Sequence, residues 1–123
     1  MSPKLATFEE LWPYYVSQHM NPACRALHFA GTTLAIACLA ATVLVSPLWF
    51  FGSLLGGYSF AWIGHFFFEK NRPATFTHPL WSLRADFRMF RLMLLGRMQP
   101  ELARAERAFP PAALGSGHRD ARA

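Results

Sequence analysis

The sequence is poor in charge, and the shortage is uneven. Charged residues make up 15% of its 123 residues, against the ~25% usual for a soluble domain. Residues 26–68 contain no Asp, Glu, Lys or Arg, so every charge lies on the flanks of that run. A soluble fold of this size rarely leaves so long a stretch unwetted, which points to a membrane protein. Cysteine is scarce as well. Cys24 and Cys38 have no CxxC spacing, which excludes a disulfide framework, and Cys38 reads as a small hydrophobe in an apolar run. The first 25 residues lack the basic start, apolar stretch and small-residue cleavage site of a secretion signal. Insertion is therefore expected to be directed by the spans themselves.

Other absences narrow the chemistry. There is no GxSxG element, no Gly-rich phosphate loop and no plausible Ser-His-Asp set. The net charge of +5 is not interleaved with a polar, base-stacking surface. The basic residues gather beside apolar segments, which suits anionic lipid head groups better than nucleic acid.

What is present reads as an all-α membrane protein: a two-helix transmembrane hairpin flanked by amphipathic interfacial helices. One helical membrane domain is expected over residues 1–108, with a disordered tail over 109–123 that includes His118. Thr7-Phe8-Glu9-Glu10 has the T-x-x-E form of a capping box and opens a helix to about Gln18, with Pro13 expected to kink or shorten it. Its apolar stripe of Phe8, Leu11, Trp12, Tyr15 and Val16 fits a helix lying on the membrane. Residues 26–45 and 48–68 are each long enough to span, about 30 Å of helix apiece, with Ser46-Pro47 as the turn. Gly52 and Gly56 form a GxxxG that Ala30, Thr33, Ala37 and Ala41 of the first span are expected to face, or that an oligomer could use. Pro79 opens a last long helix to about Gly96, with Arg84, Arg88 and Arg91 on one face, reaching lipid phosphates. A short polar helix is expected after Pro100. Lys4, Arg25, Lys70 and Arg72 all lie at the open end of the hairpin, which puts both termini in the cytoplasm.

The histidines gather at that same end. His28 precedes Pro47 by about as many residues as His65 follows it, so an antiparallel hairpin sets the two imidazoles at equal depth. His19 and His78 flank the spans. Glu69 lies one helical turn beyond His65, and Asp86 points roughly 160° away from Arg84 and Arg88. Ionisable groups drawn into a membrane mouth are costly and are usually functional. Imidazoles with carboxylates suit a divalent transition metal, and a site with open positions favours Fe(II) and oxygen chemistry. Glu69 and Asp86 are candidates either to ligate or to orient the imidazoles. Two other classes remain open: a b-type haem held between two histidines in an electron-transfer protein, and a non-catalytic membrane adaptor.

Three stretches carry a resemblance: His19-Met-Asn-Pro-Ala-Cys-Arg25-Ala-Leu-His28, then Gly64-His65-Phe-Phe-Phe-Glu69-Lys-Asn71-Arg-Pro73, then Pro79-Leu-Trp-Ser82-Leu-Arg-Ala-Asp86. Together they resemble the Mpo-like family of small membrane proteins, over about Phe8 to Met93. The resemblance implies an Fe(II)-dependent dioxygenase that uses O₂ to shorten a 2-hydroxy fatty acid by one carbon. It implies His19, His28, His65 and His78 as iron ligands, and Glu69, Asn71 and Asp86 as polar positions of the motif. Glu69 and Asp86 would then serve in catalysis, and Arg25, Asn71 and Arg72 in binding the substrate head group. For a bacterial member the location implied is the inner membrane, with the histidine cluster on the cytoplasmic side. Cys24 departs from the pattern, where asparagine is expected before the arginine.

Overall fold

The computed structural model describes residues 4–110, so the tail beyond, His118 included, lies outside the described residues. Five α-helices follow in order: α1 Phe8–Ser17, α2 Pro22–Leu44, α3 Trp49–Ile63, α4 Pro79–Leu94 and α5 Gln99–Ala108. A π-helical segment, Gly64–Glu69, extends α3, and a 3₁₀ turn, Ala74–Phe76, leads into α4.

Half of the expected capping box opens α1: Glu10 N–H donates to Thr7 Oγ1 at 3.2 Å, while the Glu10 carboxylate accepts from Ala6 N–H at 2.8 Å, one residue before the N-cap. Pro13 does not break the helix, which runs on to Ser17. The apolar stripe of α1 does not face a membrane. Leu11, Trp12, Tyr15 and Val16 are fully buried against Ala85 and Met89 of α4 and Leu102 and Ala105 of α5. The Trp12 indole N–H donates to Glu101 of α5 at 2.8 Å, pinning the two helices. Each of these large side chains contributes on the order of 1.5–3 kcal/mol on burial. Helices α1, α4 and α5 thus form a small packed cap.

Helices α2 and α3 pack antiparallel as a hairpin. Cys24 lies against Gly64, Leu34 against Gly56 and Cys38 against Gly52. The glycines permit this approach: a Cβ at Gly56 would lie 2.7 Å from Leu34 Cδ2, and one at Gly31 would lie 2.8 Å from Phe60 Cβ. The GxxxG face is therefore occupied within the chain. The partners are Gly31, Leu34, Ala35 and Cys38, whereas Ala30, Thr33 and Ala37 are exposed. The expected register was one residue out, a rotation of about 100°.

One helix among the described residues, α2 with its 23 residues, is long and apolar enough to cross a membrane. The second apolar run is not a single α-helix of that length, because α3 has 15 residues before its hydrogen bonding widens to the π form. The hairpin tip exposes Val43, Leu44, Leu48, Phe51 and Leu55 together, an apolar surface larger than a water-facing monomer normally tolerates.

Candidate metal centre

Two chain segments and one turn build the site. The loop after α1 carries His19, and Asn21 caps α2 by accepting from Ala23 N–H at 2.8 Å, which sets His28 nearly two turns inside that helix. Gly64 lets the π segment press on α2 here: an added Cβ would meet Cys24 Sγ at 2.9 Å and Cys24 Cα at 3.2 Å. That close approach brings His65 over His28. Lys70 then takes the left-handed conformation, φ 56° and ψ 43°, and turns the chain back so that Asn71 N–H donates to His65 O at 3.0 Å.

His19, His28 and His65 are buried together, with ring centroids 4.4–5.0 Å apart and mutually near-perpendicular planes. Their tautomers follow from their partners. His19 Nδ1 is 2.6 Å from Tyr15 O, and His28 Nδ1 is 3.2 Å from Cys24 O. A carbonyl oxygen only accepts, so both rings carry their proton on Nδ1. His65 Nδ1 is 2.6 Å from Asn71 Oδ1. The Asn71 amide nitrogen donates at 3.0 Å to both Gln18 O and Gln18 Oε1, which identifies Oδ1 as the acceptor side. His65 is therefore protonated on Nδ1 as well, and all three Nε2 atoms offer lone pairs. His19 Nε2 and His28 Nε2 stand 3.1 Å apart. Two lone pairs at that distance repel until a proton or a metal cation joins them. Two nitrogens each about 2.1 Å from one ion and at right angles stand about 3.0 Å apart. The donor set therefore fits a transition metal, and each ligand is held by an acceptor on its far nitrogen, as in natural metal sites.

The donor atoms of His19, Cys24, His28 and His65 all lie within 4.8 Å of one another. Cys24 Sγ approaches His28 at its outer nitrogen, 3.8 Å from Nδ1, so the thiol stands behind the ring. Burial, together with the neighbouring His28 and His65, holds His19 well below its usual pKa, so it stays neutral and able to ligate.

The other expected site residues divide. Asp86 reaches the cluster: its Oδ1 is 3.8 Å from His28 Nε2 and accepts the Tyr15 hydroxyl proton. Burial raises its pKa to about 7, against the opposing effect of the Tyr15 hydrogen bond. Asn71 orients His65. Glu69 is not among the clustered donor atoms; it accepts from Asn21 N–H, tying the π segment to the start of α2, and burial raises its pKa. Arg25 donates to His19 O and Met20 O, both at 2.8 Å, and so braces the loop that carries His19. Arg72 is exposed. His78 is not brought to the cluster: its ring stacks on Trp81 at 5.5 Å, and its Nδ1 meets Thr77 Oγ1 at 3.0 Å.

Tyr15 is the residue that sequence reasoning missed. Its carbonyl accepts from His19, its ring stacks on the His19 imidazole at 4.1 Å, and its hydroxyl holds Asp86. In the sequence it is one aromatic of an apolar stripe, and nothing there distinguishes it. A cavity of about 270 Å³ opens from His28, His65, Asp86 and Ser82 and runs between α2 and α3 to Leu39 and Phe50. Its imidazoles and carboxylate lie at one end, and the far end is mainly apolar, with the Ser53 hydroxyl there donating to Phe50 O.

Fold and site together define an all-α protein with a buried tri-histidine centre suited to a transition metal, at the head of an apolar cavity. The chain belongs to the Mpo1-like family, described as 2-hydroxy-palmitic acid dioxygenase Mpo1-like, whose model matches residues 5–98. No curated protein and no solved structure matches it.

Proposed function

We propose that this protein is an Fe(II)-dependent membrane dioxygenase that acts on 2-hydroxy fatty acids and shortens them by one carbon. The observation that carries the reading is the set of three imidazoles with Nε2 lone pairs turned inward and every Nδ1 tied to an acceptor. The family description supplies the substrate class and the reaction type. His19, His28 and His65 would hold the iron, which when bound supplies oxygen activation and a Lewis-acid hold on the 2-hydroxy acid head.

The chain's own residues do the rest. Asp86, held by Tyr15 at the mouth of the cavity, is placed to take the proton of the substrate 2-hydroxyl. Ser82 and Thr75, whose hydroxyls lie 3.2 Å apart on the cavity wall, offer hydrogen bonds to the head group. The acyl tail would lie between α2 and α3 towards Leu39 and Phe50, a path of about 16 Å counted along α2. This arrangement keeps water from the apolar half of the substrate. Residues 1–108 would form one membrane domain, with the α2–α3 hairpin inserted in the bacterial inner membrane and the histidine end on the cytoplasmic side.

A haem held between His28 and His65 does not fit this geometry. Their rings are 5.0 Å apart, and His19 fills the space through which a porphyrin would pass. The test of the proposal is metal analysis of anaerobically purified protein, followed by O₂ uptake with 2-hydroxypalmitate. Stoichiometric iron, with O₂ consumed and an acid one carbon shorter produced, is the expected result. Bound iron without turnover would remove the substrate assignment, and no metal at all would remove the centre.

A further inference from the structure

Helix α4 presents a different chemistry on each side. Ala85 and Met89 are buried in the cap with α1, and Phe90 stacks on Phe29 of α2 at 4.9 Å. Leu80, Leu83, Phe87 and Leu94 are exposed, and their spacing of i, i+3, i+7 and i+14 puts them in one narrow arc. Leu83 and Phe87 also line the cavity between α2 and α3, so this arc faces the apolar side of the hairpin. The next arc round the helix, away from α2, holds Arg84, Arg88 and Arg91.

These arginines are shaped into a cleft of about 430 Å³ with Phe8, Glu9 and Phe87. The Arg84 guanidinium lies 4.0 Å over the Phe8 ring, and Arg88 lies 4.5 Å over Trp12, so both planar groups are held in place before any ligand arrives. The Glu9 carboxylate, 3.5 Å from Arg88, takes up one positive charge. Three guanidiniums against one carboxylate leave a formal charge of +2 in the cleft. Phe87 belongs to both the cleft and the cavity, so the cationic site and the apolar arc share an edge.

We propose that this cleft is a binding site for the head group of an anionic phospholipid, with the phosphate between Arg84 and Arg91 and the acyl chains over Leu80, Leu83, Phe87 and Leu94. Charge complementarity selects the head group, and the adjoining apolar arc selects a lipid over a free anion. The bound lipid sets α4 at phosphate depth and turns the cavity mouth towards the acyl layer. Lipid binding in this cleft does not depend on dioxygenase activity at the histidine centre.

The test is native mass spectrometry of the full chain released from micelles doped equally with phosphatidylglycerol and phosphatidylcholine of identical acyl chains. Wild type is expected to retain phosphatidylglycerol selectively. R84Q/R91Q is expected to lose that selectivity by about tenfold or more, the scale of two basic side chains at a membrane surface. R91Q alone leaves the Phe8 contact intact and is expected to show several-fold loss, which separates binding from any loosening of α1. Arg97→Gln, a charge removed outside the cleft, should change nothing. Equal retention of the two lipids by wild type, or unchanged selectivity in both cleft variants, would overturn the site. Displacement of phosphatidylglycerol by millimolar inorganic phosphate would overturn the lipid assignment.

Discussion

Asn71 offers a test of the metal centre that spares every proposed ligand. Its Oδ1 fixes the His65 tautomer at 2.6 Å, while its amide nitrogen holds the end of α1 through two 3.0 Å bonds to Gln18. Asn71→Ala removes both functions. Without an acceptor on Nδ1, His65 can rotate or shift its proton to Nε2, the atom that must face the ion. Loss of such an orienting partner lowers metal affinity by ~10–100-fold in natural sites, which corresponds to about 1.4–2.7 kcal/mol. The fold should also lose about 1–3 kcal/mol, because the buried His65 N–H is left unpaired. Asn71→Asp separates the two effects. It restores the acceptor for His65 but has no N–H for Gln18, so metal affinity should stay near wild type while thermal stability falls. Competition between apo-protein and a chelator for Co(II) under anaerobic conditions measures the first quantity, and a thermal melt measures the second. Affinity unchanged in Asn71→Ala, or lost equally in Asn71→Asp, would refute the assigned tautomers and the inward-facing lone pairs with them.

Four further outcomes follow from the same geometry. His65→Ala should abolish stoichiometric metal binding and His78→Ala should leave it intact, since His78 packs on Trp81; metal analysis of the two variants decides this. Tyr15→Phe keeps the ring stack and the carbonyl bond to His19 but frees Asp86, so kcat should fall about tenfold or more with metal content unchanged. Gly64→Ala forces α2 and the π segment apart against Cys24 Cα, and should cost about 1–3 kcal/mol in stability and weaken metal binding, both read on the purified variant. In the apo-protein, the raised Asp86 pKa means that the folded state binds the extra proton between pH 3.8 and about 7. Stability from this group is therefore greatest below that window and falls as pH rises through it, so Asp86→Asn should flatten the difference in melting temperature between pH 5 and pH 8.

How far the chain could be read in advance depended on whether a feature was local or needed a partner. The pairing of His28 with His65 was legible because depth in an antiparallel hairpin follows from counting away from Pro47. The cap at Thr7, the break at Ser46-Pro47, the helix start at Pro79 and the existence of an apolar stripe on α1 were legible for the same reason, since each rests on a few neighbouring residues. His78 shows where counting fails. It is close to the span in sequence, but the turn at Lys70 and the 3₁₀ turn after Pro73 carry it onto Trp81.

Periodicity alone determines that a helix has an apolar face; for this protein, periodicity, the uncharged run and distance from Pro47 together determined five helices, an uncharged hairpin and a crowd of imidazoles at its open end. It does not determine what covers each face, because lipid and protein satisfy an apolar stripe equally well. Only the tertiary structure put the stripe of α1 against α4 and α5 instead of lipid, and so carried Tyr15 to His19 and Asp86. Only the left-handed turn at Lys70 brought Asn71 back to His65. The tautomers follow from those long-range contacts: which ring nitrogen holds the proton is decided by the acceptor that folding brings beside it.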